Sequence, residues 1–322
     1  MVTMKGSLEK KAFWRLFSPL AAYWIVQIVF SFLLSFVMMI IKAKELAPIL
    51  FTEQESMTEM EFQTVMDTVN QIAGEFYVQY QLECATASAL CLILVMGVMF
   101  WQDRKREAAG QAEPAGQGAP IGRVAMTGRM EPARAVPISK YMLLLGLGVS
   151  FCLAANCLVG MTELAFADEA YQEAAAVLYG PSFPMQVLCS GLIIPLSEEL
   201  FYRGLVFKRF RERIGFLGAA FISSFVFSTS HGNVVQALYT IGLGMLLSYA
   251  YEKYGSFKAP LFLHVVANMT SLICTRTGAF DWLMKNKPWM AVLAVAGTFV
   301  GTTMYVMIQK TGEEKADKPA KE

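Results

Sequence analysis

Apolar runs of about twenty residues recur along this chain, the length an α-helix needs to cross a hydrocarbon core about 30 Å thick. Eight can be drawn, at 17–41, 83–101, 141–160, 185–207, 216–231, 235–251, 259–275 and 289–308. Segments that cross lipid must satisfy their own backbone hydrogen bonds, so the expected fold is all-α: a polytopic membrane helix bundle. Composition agrees. Of 322 residues, 55% are hydrophobic and only 16% charged, where soluble domains carry about 25% charged residues. The first run is too long for a secretory signal core and lacks a small-residue cleavage site, so it is expected to stay as a membrane helix.

Lys and Arg orient the bundle. With the N-terminus inside, 21 of the 27 fall in the connections 1–16, 102–140, 208–215, 252–258 and 309–322, and 5 in the outer connections. Arg203 lies within a run. The asymmetry puts both termini in the cytoplasm, and the chain is expected to be a multi-pass protein of a bacterial cell membrane, with the lipid bilayer as a partner. A net charge of +1 and the lack of a basic, aromatic-interleaved patch argue against nucleic acid. Six cysteines (Cys84, Cys91, Cys152, Cys157, Cys189 and Cys274) lie in or beside apolar runs without a CxxC pair. They read as small buried hydrophobes, not as a metal knuckle or a disulfide framework.

Four regions follow. Residues 1–106 form a two-span region, in which 56–80 carries Phe62, Val65, Met66, Val69, Ile72 and Phe76 at helical spacing. This outer segment is expected to be an amphipathic helix packed over the bundle. Residues 107–140, rich in Ala, Gly and Pro, read as a flexible cytoplasmic linker. Residues 141–308 form a six-span core, and 309–322 a solvated cytoplasmic tail. Gly242 and Gly244 are expected to allow close helix approach.

Within the core, "PLSEELFYRG" (Pro195–Gly204) places two glutamates and an arginine in an apolar run. A charged side chain at the centre of a bilayer costs about 2.5–3.5 kcal/mol on insertion scales, so each needs a partner or water. Glu199 and Arg203 are four apart and can pair on one helix face. Glu198 is turned about 100° away with no cation near in sequence, which leaves it free for chemistry. The two histidines of the chain, His231 in "FSTSH" and His264 in "HVVAN", also fall in apolar runs, the latter with Asn268 one turn on. A lone membrane histidine, or a Glu–Arg pair, can simply join helices. Three separate runs with polar groups at depth are harder to explain that way.

In that order, "EELFYR", "FSTSH" and "HVVAN" follow the patterns EExxxR, FxxxH and HxxxN. The chain therefore resembles the CAAX-protease and bacteriocin-processing (Abi) family of intramembrane proteases, closely over 183–275. The resemblance implies that Glu198 is the general base on a water, that His231 helps hold that water, and that His264 and Asn268 stabilise the oxyanion. It implies supporting roles for Glu199 and Arg203, and a peptide or membrane-anchored protein as substrate. Such chemistry needs a base that works near neutrality and donors aimed at the developing oxyanion.

Members of this family have been described both as metalloproteases and as metal-free glutamate proteases. Glu198, His231 and His264 could form a zinc site, so the cofactor is either none or one divalent metal. HExxH is absent, and an asparagine one turn from His264 suits an oxyanion donor better than a zinc ligand. Two further readings stay open: an ion- or proton-coupled transporter, and a non-enzymatic immunity or scaffold protein. No internal repeat of the kind a transporter favours is visible. On straight spans rising 1.5 Å per residue, Glu198 lies about 15 Å and His264 about 9 Å from the cytoplasmic end, but His231 about 24 Å. A single site then requires an earlier start, a tilt, or an "HGN" break held inside the protein.

Overall fold

The computed structural model describes residues 2–50, 58–109, 138–162 and 164–313. Among the described residues the chain is helical, without strands. In chain order the helices are α1 (Val2–Ile41), α2 (Ala43–Leu50), α3 (Glu59–Ala108), α4 (Ile138–Met161), α5 (Leu164–Ala167) and α6 (Glu169–Tyr179). They continue with α7 (Phe183–Arg211), α8 (Phe216–Thr229), α9 (Val234–Tyr254), α10 (Lys258–Arg276), α11 (Ala279–Lys285) and α12 (Lys287–Glu313).

Each of the eight apolar runs lies on one of these helices. Among the described residues five helical stretches are long and apolar enough to cross a membrane alone: Phe13–Ile41, Gln79–Ala108, Ile138–Met161, Val234–Tyr254 and Lys287–Lys310. A sixth crossing results if α6 and α7, bent by 108°, form one broken span. With 14 residues, α8 is about 21 Å long, short of the hydrocarbon thickness. The helices that do not qualify alone, α7, α8 and α10, are the ones that carry or adjoin the polar motifs.

The outer segment is helical, and non-helical Tyr80 (φ −116°, ψ 17°) divides it, at a kink within α3, from the spanning stretch that follows. Phe76 is buried, whereas Phe62 and Met66, farther out, are exposed. Val65, Val69 and Ile72 between them are half-buried, so the apolar face is covered only in part. The connection 161–184 is also structured, since it contains α5 and α6. Most of the expected linker (110–137) and of the tail (314–322) lies outside the described residues, while 107–108 and 309–313 are helical.

Four ion pairs form a belt at one end of the bundle: Arg15–Glu212 at 2.8 Å, Asp103–Arg209 at 2.7 Å, Glu107–Lys208 at 2.6 Å and Arg211–Glu252 at 2.9 Å. They join residues from four connections that the charge count put on one side of the membrane. Burial pushes the Glu212 carboxyl up from its ordinary range, and Arg15 pulls it back down.

Above this belt Leu144, Leu205, Leu247 and Leu263 are fully buried where α4, α7, α9 and α10 meet. Small residues bring the backbones together. A Cβ on Gly148 would stand 2.8 Å from Val266 Cγ1, and one on Gly244 would stand 2.7 Å from Ser224 Cβ.

Candidate active site

Helix α7 is not wound uniformly. Two π-helical stretches, Cys189–Ile193 and Leu200–Phe207, flank the α-helical Ile194–Glu199. Pro195 stands at the start of that middle stretch. It has no N–H to give, and the wider turn just before it accommodates the missing bond. Glu198 and Glu199 come at the end of the same stretch, between the two expansions.

The two glutamates face different surroundings. The Glu199 side chain is fully buried, while that of Glu198 is 22% exposed. Arg203 Nη1 donates to Glu199 Oε1 at 2.9 Å, the pair that the spacing of four predicts. The guanidinium also lies 4.5 Å from the centre of the Phe227 ring, a favourable cation–π position. Glu199 does more than neutralise Arg203. Its Oε1 stands 2.8 Å from His264 Nδ1 on α10. A carboxylate oxygen only accepts, so Nδ1–H donates, and Nε2 of neutral His264 is left as an acceptor. That atom lies 3.6 Å from Glu198 Oε2, too long for a hydrogen bond and close enough for both groups to hold one water.

His231 reaches the same region by a different route. Helix α8 ends at Thr229, and the chain turns at Gly232, whose φ of +75° is the left-handed region that glycine enters without penalty. The expectation of a straight span through residue 231 is thereby corrected: "HGN" is the connection to α9, with Asn233 buried, His231 half-buried and Gly232 exposed. Asn233 caps α9, accepting from Gln236 N at 2.8 Å. Asp168 binds the same turn from outside. Its Oδ2 accepts from Val234 N and Val235 N (3.1 and 3.2 Å), and its Oδ1 accepts from Tyr171 N on α6 at 3.1 Å. Within this frame His231 Nδ1–H donates to the Phe227 carbonyl at 2.8 Å. Its Nε2 is thus also an acceptor in the neutral ring. Phe227 separates the two imidazoles, edge-on to His231 at 4.8 Å and to His264 at 5.8 Å.

Asn268 lies one turn beyond His264 on α10. Its Nδ2 donates to the Ser190 carbonyl, in the first π-helical stretch, at 2.9 Å. This uses one of two amide hydrogens and fixes the plane of the other.

Glu198, His231, His264 and Asn268 all line one cavity of about 240 Å³, with Ser190, Tyr171 and Tyr179 also in its wall. Helix α6 covers it, anchored by Tyr179 Oη to Ser271 Oγ at 2.9 Å. A larger cavity of about 590 Å³, an apolar groove of α4, α9 and α12, includes none of the four. Among the described residues no three His, Cys, Asp or Glu side chains are grouped so as to hold a metal ion. Glu198, His231 and His264 share a cavity without forming a three-ligand cluster.

Sequence reasoning missed several contributors. The Glu199–His264 bond joins residues 65 apart and has no local signature. Asp168 had one, an Asp directly before a helix start, but its second role across to α9 is tertiary. Tyr202, whose hydroxyl donates to Ser230 Oγ at 2.8 Å, lies inside the EExxxR motif among its unspecified positions.

Comparison with known proteins adds an independent line. Residues 180–270 match the family described as type II CAAX prenyl endopeptidase Rce1-like, a segment that holds Glu198, Glu199, Arg203, His231, His264 and Asn268. Over 117 residues the chain is 23% identical to the Bacillus subtilis (strain 168) protein named "Putative membrane peptidase YdiL". The match covers 36% of this chain and 48% of that protein, so it spans about half the length of the relative. No solved structure matches.

Proposed function

We propose, from the match of residues 180–270 to the Rce1-like CAAX-protease family, that the chain is an intramembrane endopeptidase in which Glu198 activates a water against a peptide carbonyl. The observation that carries this reading is the Glu199–His264–Glu198 alignment. One carboxylate fixes Nδ1 of the imidazole at 2.8 Å, and Nε2 looks toward the second carboxylate at 3.6 Å across a cavity wall.

A water between Glu198 and His264 gives its proton to Glu198 as its oxygen attacks. Glu198 then passes that proton to the leaving amine. The remaining N–H of Asn268 stabilises the oxyanion, an interaction worth about 3–4 kcal/mol where such donors are removed. This moves His264 from the oxyanion role expected from the motifs to the water. His264, held by Glu199 with Nε2 as acceptor, suits the water better than the oxyanion, and His231 on the other side of Phe227 is left to orient substrate or water. Glu199 and Arg203 act through His264.

The substrate is a peptide or a membrane-anchored protein. A transporter reading draws on the same buried carboxylates, but nothing in the geometry favours it specifically. The test is cleavage of mixed-sequence peptides by purified protein. Glu198→Gln should abolish cleavage with the fold intact, and a chelated, metal-free preparation should keep its rate. Wild-type rates in Glu198→Gln, or solute uptake into liposomes with no cleavage, would overturn the reading.

A further inference from the structure

A second cavity of about 370 Å³ adjoins the first, and Glu198, His231 and Ile194 line both. Ser197, Phe201, Tyr202 and Ser230 complete the α7 and α8 side of it, and its remaining walls come from outside the family-matched segment. Helix α1 contributes Tyr23, Gln27 and Ser31, and α3 contributes Ser88. These are polar groups on two otherwise apolar spans; α1 presents Trp24, Ile28 and Phe32 outward. Ser88 Oγ donates to Gln27 Oε1 at 2.9 Å, which holds the carboxamide in the cavity wall. Tyr23 is stacked on Phe201 of α7, with ring centres 4.6 Å apart and planes 16° apart. Buried Asp103 and Arg209, 2.7 Å apart, tie α3 to the end of α7. The N-terminal helix pair is thus fitted directly against the helix that carries Glu198.

Glu198 stands in the partition between two chambers of about 240 and 370 Å³, which together reach the size of a ligand pocket. Away from water an extended backbone needs hydrogen-bond partners along its length. Gln27, Ser31 and Ser88 offer them in one chamber, and Asn156, Gln236 and Ser271 in the other. Resting on the endopeptidase reading, we propose that the substrate is an extended polypeptide segment that passes Glu198 and occupies both chambers. Gln27, Tyr23 and Ser88 then form the subsite for one side of the scissile bond. Residues of the N-terminal pair, which the family segment lacks, determine which sequences are cut.

The experiment uses full-length Glu198→Gln protein in lipid nanodiscs, with a photo-reactive amino acid at position 27, at 156 in the first cavity, or at the outward-facing 24. The probe is a biotinylated pool of mixed-sequence ten-residue peptides. Labelling at 27 and 156 but not at 24 is expected. Labelling at 156 alone overturns the second subsite and leaves the endopeptidase reading standing. Labelling at neither 27 nor 156 removes both, and equal labelling at 24 and 27 means partition into lipid and also overturns it. In active protein, Gln27→Leu should lower kcat/KM about tenfold, roughly the worth of one hydrogen bond. That loss should appear for peptides long enough to fill both chambers and not for those truncated on one side. An equal effect on long and truncated peptides would mean that Gln27 only joins α1 to α3.

Discussion

Arg209 Nε donates to Asp103 Oδ2 at 2.7 Å, with the two side chains only 5% and 1% exposed. The same guanidinium donates through Nη1 to the Arg15 carbonyl (2.6 Å) and to Ser18 Oγ (2.8 Å). One arginine at the end of the glutamate-bearing helix therefore gathers α1 and α3. Removing Asp103 leaves a buried cation without its counter-charge, a change that costs about 3–5 kcal/mol. Asp103→Ala should lower thermal stability in detergent by an amount of that order and expose the α1–α7 junction to protease. A variant as stable and as protease-resistant as wild type would show that the pair does not hold the helix pair in place.

Close approach of α8 and α9 depends on Gly244. A Cβ there would meet Ser224 Cβ at 2.7 Å and Ser224 Cα at 3.0 Å, so the backbone itself would have to move. At Gly242 the same atom would make ordinary contact with Phe151 at 3.6 Å. Gly244→Ala should destabilise by about 1–3 kcal/mol, the usual cost of overpacking, while Gly242→Ala stays near wild type. Thermal unfolding of the two variants in the same detergent checks the difference. Equal effects would mean that the contact at Ser224 relaxes freely.

How much of this was legible depended on the range of each interaction. Apolar runs map directly onto helices because length and composition are local, and the Glu199–Arg203 pair followed from a spacing of four. Gly242 and Gly244 were expected alike to allow close approach, and only the tertiary contact with Ser224 sets Gly244 apart. Helix α6 was not foreseen, since the connection 161–184 has no apolar run of spanning length. The π-helical winding around Glu198 left no periodic trace that an ordinary helical spacing would reveal. That His231 lines one cavity with Glu198 and His264 was not legible from counting along a straight span, because α8 ends at Thr229 and Gly232 and Asp168 shape the turn that follows. The motifs named the residues that share the cavity. They did not reveal that Glu199 orients His264, because that bond crosses from α7 to α10.

Glu199 has two functions that substitution can separate. It compensates Arg203, and it holds Nδ1 of His264. Glu199→Gln removes the charge, so Arg203 is left buried and unpaired and stability should fall by about 3–5 kcal/mol. The imidazole also loses the group that fixes its tautomer, and kcat should fall about 100-fold or more. Replacing both members of a buried pair by neutral groups is often close to neutral for folding. The double variant Glu199→Gln, Arg203→Met should therefore recover most of the stability and little of the activity. Unfolding temperatures and kcat, measured on protein that elutes as a single species, distinguish these effects. Activity that returns together with stability would show that Glu199 serves only the fold, and that His264 finds its orientation without it.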